Sequence, residues 1–159
     1  MFFKIPEGIS IKNPVHWLAL GFGTGCSLKM PGTIGTMAGV IIYYFAQALP
    51  VLVYLSLVVI LFIAGIWICQ TTARDMGKHD HPAIVWDEIV GYLLAMSMVP
   101  DGWQWILGGF LLFRLFDIAK PWPISHVDKS ITGGLGIMLD DAIAALFSLA
   151  ILQIMVYML

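Results

Sequence analysis

The sequence predicts an all-α membrane protein, a polytopic bundle of about five membrane helices. Two observations predict it. Of the 159 residues, 60% are hydrophobic and only 11% are charged, whereas a soluble domain is about 25% charged. The mean hydropathy is +0.91, and the apolar residues are grouped in runs that approach the roughly 20 residues a membrane-spanning helix needs.

Five apolar runs predict the helices in chain order. The second and the last are the longest, the last on condition that Asp140 and Asp141 lie at the membrane interface. The first run stops at Pro50, and the third and fourth are separated only by Pro100, Asp101 and Gly102, so some of these helices are expected to be short. The runs are 34–49, 51–69, 87–99, 103–116 and 138–159.

The size suits a single domain covering residues 1–159. The net charge of −2 lacks the basic character of a nucleic-acid-binding protein, which excludes that class. Cys26 and Cys69 are too few for a disulfide framework or a cysteine metal site. The N-terminal segment lacks the pattern of a cleaved signal peptide, so the apolar segments are expected to be retained.

The placement of charge predicts the orientation. All eight lysines and arginines lie in three patches, and the turns at 48–51 and 100–102 contain none. Positive loops stay in the cytoplasm, which places the N-terminus inside and the C-terminus outside. Nine of the ten acidic residues share the cytoplasmic side, and only Asp101 lies opposite. The patches comprise Lys4, Lys12 and Lys29; Arg74 and Lys78; and Arg114, Lys120 and Lys129.

Five carboxylates lie at three helix ends on this side. Near a bilayer such acids are costly and mark functional sites, and close together they repel unless a cation joins them. Oxygen ligands without cysteine favour Mg²⁺, which takes one or two carboxylates, waters and phosphate oxygens. Helix-dipole capping and an ordinary Arg114–Asp117 ion pair are the structural alternatives. The predicted metal ligands are Asp87, Glu88, Asp117, Asp140 and Asp141.

Basic residues of the same side predict a phosphate site. The stretch SLKMPGTIGTMAG (27–39) also places glycines before a helix, where free backbone N–H groups bind anions, although a helix start with a close-packing Gly35–Gly39 pair fits it equally. In the loop before Asp87, Asp80 is a candidate ligand or proton acceptor, and His79 and His81 are weaker candidate bases. The predicted phosphate ligands are Lys29, Thr33, Arg74, Lys78, Arg114 and Lys120.

Other signatures fail. GFGTG (21–25) follows no strand and has the wrong spacing for a nucleotide loop, and the nucleophile motifs of serine and cysteine hydrolases are missing. A small transporter or proton relay remains the non-enzyme alternative, because intramembrane acids also mark ion pathways. The acids gather at one face, which disfavours a path across the bilayer.

Four motifs resemble those of bacterial phosphatidylglycerophosphatase A. They are PGTIGT (31–36), the TARDMG…IVWDEIVG run (72–91), FRLFDIAKPWPI (113–124) and GGLGIMLDD (133–141), and they occur in the same order over nearly the whole chain. The resemblance implies a Mg²⁺-dependent inner-membrane phosphatase that converts the phospholipid phosphatidylglycerophosphate into phosphatidylglycerol at the cytoplasmic face, among membrane lipids.

The residues and the resemblance together give a mechanistic expectation. The carboxylates hold Mg²⁺, the basic residues clamp the monoester phosphate, and a water attacks phosphorus in line. Asp80, Asp87 and Glu88 are the candidate catalytic residues. An aspartyl-phosphate intermediate is the rival route.

Overall fold

The protein is all-helical over residues 3–78 and 81–158, the part that the computed structural model describes. Five longer helices and two short ones follow one another, with one 3₁₀ turn (Thr24–Cys26) and an isolated bridge between Phe3 and Ser27. The all-α prediction is confirmed. The helices are α1 (Pro14–Ala19), α2 (Pro31–Ala46), α3 (Val51–Asp75), α4 (Trp86–Ala95), α5 (Trp103–Ala119), α6 (Ile124–Ser130) and α7 (Gly133–Met158).

Two of the helices, α3 and α7, are long and apolar enough to cross a membrane, with mean hydropathies of 2.8 and 2.0. The most apolar stretch of α3 is only 22% buried, and side chains such as Leu52, Ile60 and Trp67 are exposed on it. A water-soluble bundle would bury such a helix, so this apolar exterior is typical of a membrane helical protein.

Helix α4, the shortest of the five longer helices, lies at the centre of the bundle. Its ten residues rise about 15 Å, roughly half of a ~30 Å hydrocarbon core. Nearly all of its side chains are buried, because it contacts α2, α3, α5 and α7. After its acidic first turn α4 is apolar all round, and such a helix is stable only when it is surrounded, as α4 is.

Aromatic hydroxyl groups and small residues fix α4 among its neighbours. Tyr54 on α3 donates a hydrogen bond to the Leu93 carbonyl (2.6 Å), and Tyr92 donates to the Ile106 carbonyl (3.0 Å). On α2, a Cβ at Gly35 would meet Val85, the residue just before α4, at 2.6 Å, and a Cβ at Gly39 would lie 3.2 Å from the Ile89 carbonyl oxygen of α4. Close packing is therefore one role of Gly35 and Gly39, as the non-functional interpretation of residues 27–39 predicts.

The start of α7 differs from the sequence prediction. α7 begins at Gly133, not near residue 138. Asp140 and Asp141 therefore lie two turns inside the helix, and both are buried. The reason is tertiary, because a Cβ at Gly134 would collide with the Ile66 carbonyl of α3. The glycines that look like a loop in the sequence let α7 start against α3.

Candidate active site

Three carboxylates from two helices meet at one end of the bundle. Asp87 and Glu88 occupy the first turn of α4, and Asp141 faces them from α7. One oxygen from each of the three lies within 4.8 Å of the others. Asp117 of α5 and Asp140 of α7 line the same cavity, whose volume is about 290 Å³. The structure thus brings together all five acids that the sequence singles out as metal ligands.

Four carboxylate oxygens in this group are buried and accept no hydrogen bond from the described residues. A buried polar atom without a partner costs free energy, and such atoms in a native fold call for an ion or water. An all-oxygen donor set of carboxylates fits Mg²⁺ better than a softer metal. The residues present therefore fit the ion. The four atoms are Asp87 Oδ1, Glu88 Oε2, Asp140 Oδ1 and Asp141 Oδ2.

Arg114 balances part of this negative charge. Its guanidinium donates a hydrogen bond to Asp117, three residues further along α5, and lies 3.9 Å from Glu88 Oε1. Only 14% of its side chain is exposed. The Nε atom of Arg114 is buried and has no partner among the described residues. The guanidinium can thus hold the acids in place and still offer a donor to an anion.

Lys120 is the second basic residue that lines the acidic cavity. Its ammonium donates to Asp128 Oδ1 (2.7 Å) and to Asp140 Oδ2 (2.6 Å). Burial alone would lower the pKa of the Lys120 ammonium, but these two hydrogen bonds and the charges of both aspartates outweigh burial and raise that pKa above its usual value. Lys120 is therefore a cation at every physiological pH.

A second cavity of about 390 Å³ lies beside the acids. Glu88, Asp117 and Lys120 line both cavities, so the two are adjacent. Gly32 and Thr33 at the start of α2 and Arg114 line the second one. Space for an anion with donor groups thus adjoins the carboxylates.

The other candidate residues for which the structure gives a position lie outside these two cavities. Lys29 is exposed, and the side chain of Arg74 is 75% exposed and pairs with Asp75 at 3.6 Å. Lys78 lines a separate cavity of about 460 Å³ together with His81. Asp80, like His79, lies outside the described residues. Phosphate binding by Lys29, Arg74 and Lys78 and catalysis by Asp80 stay predictions.

Sequence reasoning gave no role to Asp128, which lines the acidic cavity and holds Lys120. It is carried by the short helix α6, which no hydropathy signal marks. The one available signal is its position, since Asp128 is the acid between Lys120 and Asp140 in the chain. Asp128 positions the ammonium, because it shares the Lys120 ammonium with Asp140.

Gly32 is expected to be required for activity. A Cβ there would collide with Glu88 Oε1 and lie 3.2 Å from Arg114 Nη1, so Gly32→Ala should displace both groups. For the phosphate release from a lipid monoester that the sequence resemblance implies, we expect kcat/KM to fall roughly tenfold or more. Gly108→Ala is the matched helical control, because its Cβ would meet only Leu152, at 3.9 Å. Equal activity of the two variants would contradict this role of Gly32.

The sequence was compared with known proteins. Residues 17–156 match the family model described as Phosphatidylglycerophosphatase A. The chain belongs to this family. A phosphatidylglycerophosphatase A of Escherichia coli K12 is 46% identical over 146 residues, covering 91% of this chain and 84% of the relative. One of Haemophilus influenzae is 45% identical over 145 residues, covering 90% and 89%.

The resemblance of the four sequence motifs to phosphatidylglycerophosphatase A is thus confirmed, and the chain is a member of a lipid phosphatase family. No solved structure matches the chain. The five carboxylates, Arg114 and Lys120 all fall within the segment that matches the phosphatidylglycerophosphatase A family. Lys4 and Lys12 lie before it.

Proposed function

We propose that this chain is a Mg²⁺-dependent phosphatase that removes the terminal phosphate of phosphatidylglycerophosphate and leaves phosphatidylglycerol. One observation carries the proposal. Carboxylates with buried, unpartnered oxygens line one cavity, and an adjacent cavity is lined by Arg114 and Lys120. A divalent cation would pair with the carboxylate oxygens, and a phosphate group would pair with the basic side chains. The E. coli and H. influenzae relatives are named for this activity.

The second cavity is the place for the monoester phosphate. Arg114 and Lys120 offer donors to its oxygens, and Thr33 lies at the start of α2, where the first backbone N–H groups of the helix have no intrahelical partners. These contacts would orient the phosphate with its ester oxygen away from the carboxylates. Positioning of this kind is a large part of phosphoryl-transfer catalysis.

The acidic cavity would supply the cation and the base. Asp87, Glu88 and Asp141 would hold Mg²⁺, with Asp117 and Asp140 beside them. Bound there, Mg²⁺ supplies charge neutralisation for the phosphoryl group and makes a water molecule more acidic. Asp87 or Glu88 would take a proton from the attacking water. As the water oxygen bonds to phosphorus, the bond from phosphorus to the glycerol oxygen breaks. The leaving alkoxide takes a proton from solvent water, and the carboxyl group returns its own proton to solvent.

The proposed topology follows from charge and from the site together. Every Asp, Glu, Lys and Arg of the five longer helices lies in the half of its helix that is nearer to the carboxylate group, and α2 has none. Positive loops face the cytoplasm, so this end would lie at the cytoplasmic face of the inner membrane, with the N-terminus inside. The five longer helices would all be embedded in the membrane, and α4 would be covered by the others.

The test is phosphate release by the purified protein. With phosphatidylglycerophosphate in neutral detergent micelles, we expect release of inorganic phosphate when Mg²⁺ is present. A chelator should abolish it, and excess Mg²⁺ should restore it. Turnover that is unaffected by exhaustive chelation would refute the metal, and no release under any condition would refute the phosphatase. Phosphatidylglycerol without a terminal phosphate serves as the blank.

A further inference from the structure

The second cavity has an apolar rim on its outer side. Met30 and Ile118 line it, and both side chains are exposed, whereas Arg114 lies inside. Exposed apolar side chains at the mouth of a charged cavity would face lipid, not water, if the bundle is embedded as proposed. In that arrangement, an opening between the start of α2 and the end of α5 would be lateral.

An exposed apolar stripe leads from this mouth along α2. Thr33 lines the cavity, and Met37 and Tyr44 follow it by four and eleven residues. Residues at these spacings lie one above the other on a helix. Met37 and Tyr44 are both exposed, so the side of α2 that bears Thr33 continues as an apolar surface.

A matching stripe runs along α5. Ile118 lines the same cavity, and Leu111 and Leu107 precede it by seven and eleven residues, again on one side of the helix. All three are exposed. Because α2 begins and α5 ends at the cavity, the two helices run in opposite directions and contact each other there. The two stripes thus flank one seam, which we call the α2–α5 seam (Thr33, Met37, Tyr44, Leu107, Leu111, Ile118).

The length of the seam suits a lipid chain. Leu107 and Ile118 are eleven positions apart, a rise of about 16.5 Å along the helix, which is close to half of the ~30 Å hydrocarbon thickness, or one leaflet. An acyl chain of one leaflet would therefore run the length of the seam when its headgroup is at Arg114.

We propose that the substrate enters sideways from the bilayer, with its acyl chains along the α2–α5 seam and its phosphate passing between Met30 and Ile118 into the second cavity. This inference rests on the proposed function and names the route and the residues that recognise the apolar part of the substrate. No soluble phosphomonoester would use these contacts.

A separate, wholly apolar cavity is the alternative binding site for the acyl chain. It has a volume of about 180 Å³ and is lined by Val58, Val59, Phe62, Leu94 and Ala142, between α3, α4 and α7. None of these residues lines the acidic cavity or the second cavity. A lipid chain there would have no continuous path to Arg114, so the seam is the better site.

Photocrosslinking tests the route. Benzoylphenylalanine replaces one residue in each variant. The seam positions are Met37 and Ile118, the alternative apolar cavity is tested at Val59, and Ile63 on α3 is the control. Ile63 is the matched control because its side chain is 62% exposed, close to the 66% of Ile118. The protein is reconstituted in phosphatidylcholine bilayers that contain a small fraction of a phosphonate analogue of phosphatidylglycerophosphate, which cannot be hydrolysed. Mass spectrometry counts adducts of the analogue and of phosphatidylcholine.

At Met37 and Ile118 we expect the analogue to exceed its share of the bilayer by roughly tenfold, the discrimination that one charge-assisted phosphate contact provides. At Ile63 the adducts should follow the bilayer composition. Equal ratios at the seam and at Ile63, or enrichment at Val59 alone, would overturn the seam. Unmodified protein is assayed for phosphate release in bilayers of the natural lipid. Release without enrichment at the seam refutes this inference alone, whereas no release refutes the proposed function.

Discussion

Asp87→Asn is expected to lower the turnover of phosphatidylglycerophosphate by roughly 10³-fold or more. Asp87 is buried at the start of α4, and its Oδ1 has no partner among the described residues. The amide keeps the volume of the side chain but removes the charge that would hold a divalent cation. Losing several kcal/mol of charge stabilisation corresponds to a change of this size. The measurement is release of inorganic phosphate in the presence of Mg²⁺.

Ligand-linked stability separates a lost metal site from a lost fold. Mg²⁺ should raise the thermal midpoint of the unmodified protein. A Mg²⁺ concentration about 100 times its Kd adds about 2.7 kcal/mol to the free energy of unfolding. Asp87→Asn should show little of this increase and should be at least as stable as the unmodified protein in chelator, because one member of a repelling group is gone. Asp101→Asn makes the same chemical change at the far end of the bundle and should leave both properties intact. Near-normal turnover of Asp87→Asn would contradict the site.

Arg114→Lys is expected to lower kcat/KM about 100-fold. Lysine keeps the charge but not the planar fork of donors, and Arg114 uses that fork to bind Asp117 and approach Glu88 while it lines the second cavity. Removal of one donor to a developing oxyanion costs a comparable factor in other hydrolases. The measurement is steady-state phosphate release over a range of lipid mole fractions.

Chemical rescue is the control for Arg114. Arg114→Ala leaves space beside Glu88 and Asp117 for a guanidinium ion, whose planar donors match those of the missing side chain. Added guanidinium should restore part of the activity of Arg114→Ala, and methylammonium at the same ionic strength should not. Equal rescue by the two cations would mean that charge alone matters at this position, and unaltered activity of Arg114→Lys would refute the role of the fork.

The relation between sequence and fold is clearest at α4 and α7. The sequence predicts a helix near residues 87–99, and α4 covers Trp86–Ala95. It does not predict that this helix is central and enclosed. It also starts the last helix five residues late, because Gly133 and Gly134 look like a loop until their contact with α3 is known. Whether each of the five longer helices spans the membrane stays a prediction.

The relation is similar at the site. Doubled acids beside apolar residues and a basic patch are visible in the sequence, and they single out the five carboxylates, Arg114 and Lys120. Asp128 has no such pattern, since it is one charge on a short helix, and its role arises from its hydrogen bond to Lys120. Conversely, Arg74 and Lys78 have the right charge in the sequence but lie outside the two cavities.

The sequence by itself determined the chemical class of this protein: its apolar runs, its segregated charges, its oxygen-only acidic groups and its family motifs. These are properties of composition and order, which need no coordinates. Only the tertiary structure decided which charges meet. Helix packing through close glycine contacts sets how each helix is rotated and how far it is shifted, and the approach of oxygens from Asp87, Glu88 and Asp141 to within 4.8 Å depends on both.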